Sequence, residues 1–498
     1  MSYYLIGIGG TGARCLESFI HLIGAGLLKD TQPVKMIFVD ADVSCGNLVR
    51  TQKAADLYIE ARKLGFGTTG LMKNKLETMD VWTPVPENCS DLNDVFQSKV
   101  LSNMNQYQPL NMLYNALFTE QERTTPLDKG FRGHPAIGAA VMNSSVSGDT
   151  DTMWQEVFQQ INTDKDARIF LFASVFGGTG AAGFPTIARI IKRSLKKDQE
   201  GNTIAKIGGV LVLPYFQFPP ASFAEEEEMQ AKVDEFILNT KSALDYYNKS
   251  ELLKEVFQRI YLIGDSDLAD VKTFSLGSNT QENDANVVEL YAALAAFDFF
   301  NKNEFGEKSG TPMIARGDDT KDTIDKIQWE DLPNPCIDGH LKDKLYAYIK
   351  FLYTYRHCVL VNLEKCAAEE SYKRQVAWYK DLVQKAGKID VYHDRQIMAE
   401  FKALGDYAEA FFKWIKDISD HPKRKIELVN KQVAAKPETL QFSLDVYQVV
   451  LPIVERKDKL THKEFWNQLC SYTKKLKKTT NSGAEILMQA IYDICSKG

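Results

Sequence analysis

Two glycine-rich turns, each set between an apolar strand-like run and a helical pattern, constrain this chain more than any other feature. The longer is FASVFGGTGAAGFPTIAR at Phe172–Arg189, with Gly177, Gly178, Gly180 and Gly183 in one turn. Its lead-in, Arg168 to Val175, reads as a buried parallel strand, and the spacing from Pro185 to Lys197 as a helix. The shorter is Gly7-Ile8-Gly9-Gly10-Thr11-Gly12, after a strand at Tyr3–Ile8 and before a helix from Ala13 to about Leu28. Glycine costs conformational entropy, so such clusters imply a sharp bend or a very close approach to the backbone. Free amides at a helix N-terminus and the helix dipole make a phosphate a natural neighbour. Tight strand-helix packing without a ligand is the competing reading of one such loop.

The surrounding pattern alternates strands with helices, which predicts an α/β fold with a parallel sheet covered on both faces. A second strand, Met36–Val39, ends in Asp40-Ala41-Asp42. Less regular sequence follows, with helices expected near Thr69–Glu77 and Pro109–Thr119, then the turn Phe131–Gly138. Beyond it come a helix at Thr152–Asn162, a strand at Ile207–Leu213 and a Pro-rich break at Phe218-Pro219-Pro220. A helix at Glu225–Asn248 and a strand at Arg259–Ile263 complete the alternation. Asn283–Phe300 is apolar around nearly its whole circumference and predicts a helix buried on all sides. From about Leu341 the pattern is helical apart from an alternating, strand-like stretch at Thr439–Ile453. The expected divisions are 1–282, a central helix 283–302, a second domain 303–370 and a helical C-terminal region 371–498.

Composition excludes several classes. With 498 residues, 44% hydrophobic, 25% charged and a net charge of −6, the chain reads as globular and not as a general nucleic-acid binder. The basic run Lys474–Lys478 reads as a solvated helix face. No apolar run approaches the ~20 residues of a membrane span, so membrane contact is expected to be peripheral at most. Eight scattered cysteines without a CxxC pair fit reduced thiols and a cytoplasmic location. His357, Cys358, Cys366 and Cys336 lack metal-ligand spacing, and no metal site is expected.

GIGGTG alone suggests a dinucleotide-binding fingerprint, although Asp40 lies further along than the usual ribose carboxylate. Two such loops plus the turn at Gly133–Gly138 fit a nucleotide with a long phosphate tail, and no GxxxxGK[ST] is present. Together these pieces resemble the tubulin/FtsZ superfamily over roughly residues 1–302. Phe176-Gly177-Gly178-Thr179-Gly180-Ala181-Ala182-Gly183 resembles its signature loop, with Phe176 in place of the first glycine and alanines where a hydroxyl residue and glycine are usual. His134-Pro135-Ala136-Ile137-Gly138 is similar to its Asn-Pro-x-x-Gly turn, Val212–Phe218 to the strand and loop beneath the ribose, and Asn283-Asp284 to the guanine-reading start of its central helix.

The resemblance implies GTP or GDP, with Mg2+ as companion ion, held by Gly9, Gly10, Thr11, Gly12, Asp40, His134, Pro135, Gly138, Phe176, Gly177, Gly178, Thr179 and Gly180. Asn283 and Asp284 would meet the base, since a carboxylate accepts from guanine hydrogens that adenine lacks. A helix cap is their alternative role. Arg14 and Asp42 are candidates for sugar or magnesium contacts, with surface charge as the alternative. The family completes GTP hydrolysis between subunits of a head-to-tail homopolymer. Asp318, Asp319, Glu330 and Asp331 are the acidic candidates for that step, although the family's acidic pattern is not cleanly present. A non-polymerising switch or scaffold and a dinucleotide-dependent oxidoreductase are the other functions considered. The C-terminal region, with Trp378, Phe411, Phe412 and Trp414, offers a surface for an unknown protein partner or packs as a subdomain.

Overall fold

A computed structural model describes residues 1–128, 130–131, 134–146, 152–164, 166–197, 204–217, 233–249, 251–265, 267–270, 282–305, 313–315, 326–436, 444–453, 456–472 and 483–497. Seven strands form one all-parallel sheet: β1 (Tyr3–Ile8), β2 (Val34–Val39), β3 (Leu76–Trp82), β4 (Arg168–Ser174), β5 (Lys206–Val212), β6 (Arg259–Ile263) and β7 (Met313–Ala315). Their order is β3-β2-β1-β4-β5-β6-β7, with β1 between β2 and β4, Leu5 paired with Met36 on one side and Phe170 on the other. Chain direction across the sheet therefore reverses between β1 and β4, the place where open parallel sheets hold ligands at their carboxyl edge. Every residue of β1 and β4 is buried, which explains their unbroken apolar sequence.

The helices that position this edge are α1 (Gly9–Ile23), α2 (Gly46–Arg62), α3 (Pro135–Val146), α4 (Thr152–Thr163), α5 (Gly178–Ser194), α6 (Val233–Lys249) and α7 (Glu251–Val256). The central helix, α8 (Val287–Asn301), packs on α1, where the Phe19 and Phe297 rings stack at 4.3 Å. A Cβ on Gly208 would meet the Phe299 ring of α8, and one on Gly209 the Phe184 ring of α5. Successive strand residues face opposite sides, so the sheet is covered by α8 on one face and α5 on the other.

Both ends of α8 are fixed by buried polar groups. At its C-terminal end Arg168 donates to the carbonyls of Phe299 (3.1 Å) and Phe300 (2.9 Å), and the Asn301 amide donates to Leu27 and Pro335. At its start the Asn286 side chain accepts from the Val288 amide, and Glu289 Oε2 accepts from the Asn286 amide. Glu289 Oε1 also stands 2.9 Å from Arg14 Nε of α1 and accepts from the Tyr215 hydroxyl at 2.7 Å.

From Leu341 the chain is mostly helical, as its sequence predicts, with α9 (Leu341–Thr354), α10 (Arg395–Ser419), α11 (His462–Tyr472) and α12 (Glu485–Cys495) as its main helices. The apolar core runs without interruption from Tyr3 to Cys495. Helix α10 lies on α1 and α2: Trp414 Nε1 donates to Ser18 Oγ (3.1 Å) and the Tyr407 hydroxyl to the Ile20 carbonyl (2.8 Å). Among the described residues no helix is long and apolar enough to cross a membrane.

Three expectations about elements are corrected. The expected helix at Thr69–Glu77 is a turn region followed by β3, because Gly70 and Met72 adopt positive φ (78° and 45°), which no α-helix accommodates. Residues 444–453 hold a short 3-10 turn at Val446–Gln448 and one isolated bridge, Val450 to Val429, instead of a strand, while 439–443 lie outside the described residues. The helices after both glycine loops begin earlier than expected, at Gly9 and Gly178, so the glycines form first turns. The Pro-rich break at 218–220 and the basic run 474–478 lie outside the described residues.

Removing one partner of a buried ion pair leaves the other charge stranded, at about 3–5 kcal/mol. Glu289→Ala should therefore lower unfolding free energy by that order in urea titration, and Glu289→Gln, which keeps a hydrogen-bond acceptor for Tyr215, by less.

Candidate functional site

Three helix N-termini meet at the carboxyl edge of the sheet. Helix α1 starts directly after β1, α2 after the loop that leaves β2, and α5 after β4; no side-chain hydrogen bond caps the first amides of α1 or α5, whereas the Cys45 sulfur accepts from the Asn47 and Leu48 amides at the start of α2. Gly9 has φ +73°, a conformation that L side chains rarely adopt, and this lets α1 begin without a linker. A Cβ at Gly9 would lie 3.3 Å from Thr179 Cβ and 3.5 Å from the Gly180 amide nitrogen, so the two glycine loops touch. On the other flank a Cβ at Gly10 would lie 3.7 Å from both Asn47 Nδ2 and Cys45 Sγ at the start of α2. Gly130 adjoins the same point, its Cβ position 3.8 Å from Thr179 Oγ1. The uncapped amides of α1 and α5 and three positive dipole ends thus gather in one place, an arrangement suited to an anion.

The glycines divide into two kinds. A Cβ on Gly12 would come within 2.8 Å of the Gly7 carbonyl carbon and the Phe172 oxygen, and one on Gly180 within 2.7–2.8 Å of Ser174 backbone atoms. These two permit close helix-strand packing. Gly10 has room for a methyl group within the fold.

Paired charges brace the floor of the site. Arg50 of α2 holds Glu17 of α1 through two bonds of 2.8 Å and donates to the Asn283 carbonyl at 2.9 Å. Burial disfavours the Glu17 carboxylate, yet Arg50 keeps it below the usual carboxylate range. Asn283 is also tied to Asn47, its amide nitrogen donating to Asn47 Oδ1 (2.9 Å) and its Oδ1 accepting from Asn47 Nδ2 (3.3 Å). The segment before α8 is therefore fastened next to the first glycine loop.

Asp40, at the end of β2, is buried and accepts from the Asp42 amide; burial pushes its carboxyl up to about 7, against the pull of the Asp42 and Ala41 amides. Asp42 Oδ1 accepts from the Ser44 amide (3.1 Å) and hydroxyl (2.8 Å).

The structure thus brings Gly9, Gly10, Gly177, Gly178, Thr179, Gly180 and Asn283 together at one edge, with half-buried Thr11 in the first turn of α1. Other expected residues are placed differently. Arg14 does not face the loops: its guanidinium is buried against Glu289 and the Tyr215 hydroxyl. The Phe176 ring turns into an aromatic cluster with Tyr215, Phe216 and Phe236. Asn283 and Asp284 do not open the central helix, because Asn286 is its cap; Asp284 is exposed in the segment ahead of it.

His134 is exposed, 3.9 Å from Glu122, Pro135 takes the first turn of α3, and Gly138 lets Phe131 and Ala182 pack closely. Of the acidic candidates, Glu330 pairs with Lys342, which holds its carboxyl low, and Asp331 accepts from the Gln328 amide at 2.8 Å, both within the turn Trp329–Asp331. Asp318 and Asp319 lie outside the described residues. Asn47, Arg50 and Glu289 were not singled out from sequence. Of the three, only Glu289 had a local signal, as the fourth residue of the Asn286-x-x-Glu289 capping box. Among the described residues no group of three or more His, Cys, Asp or Glu could hold a metal ion.

No protein-family model and no curated protein sequence matches the chain. Among solved structures it is similar to CetZ2 from Haloferax volcanii, described as a GTPγS-bound protofilament, at 16% identity over 60% of this chain and 58% of that one, TM-score 0.28. It is similar to an FtsZ mutant from M. jannaschii at 16% identity, covering 53% of this chain and 46% of that one, TM-score 0.24. CetZ from Methanosaeta thermophila is matched at 14% identity over 53% and 46% of the respective chains, TM-score 0.25. The match therefore spans about half the length of these structures.

Two outcomes follow. Gly12→Ala should cost about 1–3 kcal/mol through overpacking against backbone, whereas Gly10→Ala should leave the denaturation midpoint nearly unchanged. Asp40, with its folded-state value raised from 3.8 to about 7, contributes stability that is present below pH 4 and lost as pH rises through 7. Wild type minus Asp40→Asn, compared by urea titration at pH 5 and pH 8, should therefore fall with rising pH.

Proposed function

We propose that this protein binds GTP at the meeting point of its two glycine loops and assembles head to tail with itself, as a divergent tubulin/FtsZ-like protein. The single observation that carries the reading is the contact of Gly9 with Thr179 and Gly180, which turns two separate sequence motifs into one amide-lined cradle. The order of the family-like motifs along the chain supports it. In this reading Gly9–Gly12 and Gly177–Gly180 bind the phosphates. Asn283, held by Asn47 and Arg50, presents the base-reading segment that includes Asp284. Asp40 and Asp42, in the loop that leaves β2, would be the carboxylates to hold a magnesium ion carried in with the phosphates, a role compatible with one or two carboxylates. Hydrolysis would use an acidic group from the next subunit; Asp318, Asp319, Glu330 and Asp331 are the candidates in this chain.

A dinucleotide reading has one observation in its favour: Asp40 ends β2 in a sheet of the order associated with such folds. Chromatography of nucleotide released from purified protein separates the two. Guanine nucleotide is expected, and a nicotinamide or flavin spectrum would replace the assignment. Gly10→Ala should weaken GTP binding at least tenfold while the protein stays folded. Light scattering and electron microscopy with GTP, GDP or neither should show assembly with GTP only; its absence under all three conditions removes the polymer and leaves a nucleotide-binding switch.

A further inference from the structure

The excursion between β3 and α3 exposes an apolar surface that the cradle does not use. Its helix Gln108–Leu117 turns Tyr114 inward, where Tyr114 is buried and packs on Phe96 and Phe118. At 100° per residue, Met112, Ala116, Leu113, Leu117 and Leu110 then form one arc that runs from the side opposite Tyr114 round to its flank. Met112 is 70% exposed, Leu117 61%, Leu113 55% and Leu110 53%. The neighbouring helix Ser98–Asn103 packs beside it and adds Val100, with Met104 following.

We infer that this arc is a self-association surface whose occupant is the same arc on a second copy of the chain, related by a two-fold axis. Charge is the first argument. From Val100 to Thr119 there is no charged residue, in a chain where a quarter of residues are charged. Two copies that each carry −6 can meet here without placing like charges opposite one another.

Membrane chemistry fits less well. Interfacial helices carry several Lys and Arg on their polar face, whereas this one carries Gln108, Asn111 and Asn115, is followed by Glu120 and Glu122, and is met by the single guanidinium of Arg123 at Asn115. Area is the second argument. The exposed apolar side chains amount to roughly 500–600 Å², at the upper end of what a monomer leaves uncovered. Pairing two such arcs buries at most about 1,000–1,200 Å², the size of a weak, reversible contact. Small Ala116 within the arc lets the two helices approach closely, and a self-complementary patch closes as a dimer.

The test is sedimentation velocity on the full chain in nucleotide-free buffer, so that its outcome is independent of GTP-driven assembly. From about 1 to about 100 μM the wild type should shift toward twice the monomer mass, and Met112→Glu/Leu113→Glu should stay monomeric with an unchanged circular dichroism spectrum. Leu117→Gln, which adds no charge, should weaken dimerisation at least threefold. A wild type that is monomeric throughout, or a double variant that dimerises equally well, overturns the proposal. So does a monomeric wild type that binds phosphatidylcholine vesicles through the arc, which would assign the surface to lipid.

Discussion

The buried contact of Arg14 with Glu289 and Tyr215 holds α1, α8 and the loop after β5 in register. Arg14 rises from the second turn of α1, Glu289 from the first turn of α8 and Tyr215 from the loop after β5, so one cluster fixes three chain segments that are distant in sequence. The cost of burying these charges is offset because each carboxylate oxygen has a partner: Oε1 has Arg14 and Tyr215, and Oε2 the Asn286 amide. The position of α1 also sets Gly9 against Thr179, so the brace and the cradle are parts of one geometry.

Much of this was legible in the sequence for simple reasons. The strands β1 and β4 are buried on both faces, so their apolar runs are unbroken, and α8 is buried all round, so it has no polar stripe. Glycine clusters marked both loops because packing against backbone leaves no room for a side chain at Gly12 and Gly180. What was hidden depended on pairing over long separations. Asn47 and Asn283 are 236 residues apart, and nothing local to either predicts their reciprocal amide bonds.

The misplaced readings also have local causes. In Asn283-Asp284-Ala285-Asn286 three residues could cap a helix, and the choice falls on Asn286 because Glu289 stands three positions later to complete the reciprocal cap. Arg14 reads as a ligand contact from its place beside a glycine loop, but its helical phase turns it toward α8. At 69–77 helical spacing was present, and the left-handed conformations of Gly70 and Met72 overrode it.

Helix α10 forms a roof over α1 and α2, and its outer row is Lys402, Asp406, Glu409 and Lys413. This row carries two positive and two negative groups and is exposed, in contrast to the bare aliphatic arc of Gln108–Leu117. Two flanks of one molecule thus differ in wettability: a neighbour arriving over the roof must strip hydrated ions, and one arriving at the arc releases water that gains by leaving. The chain carries a built-in sidedness that would orient any lateral stacking.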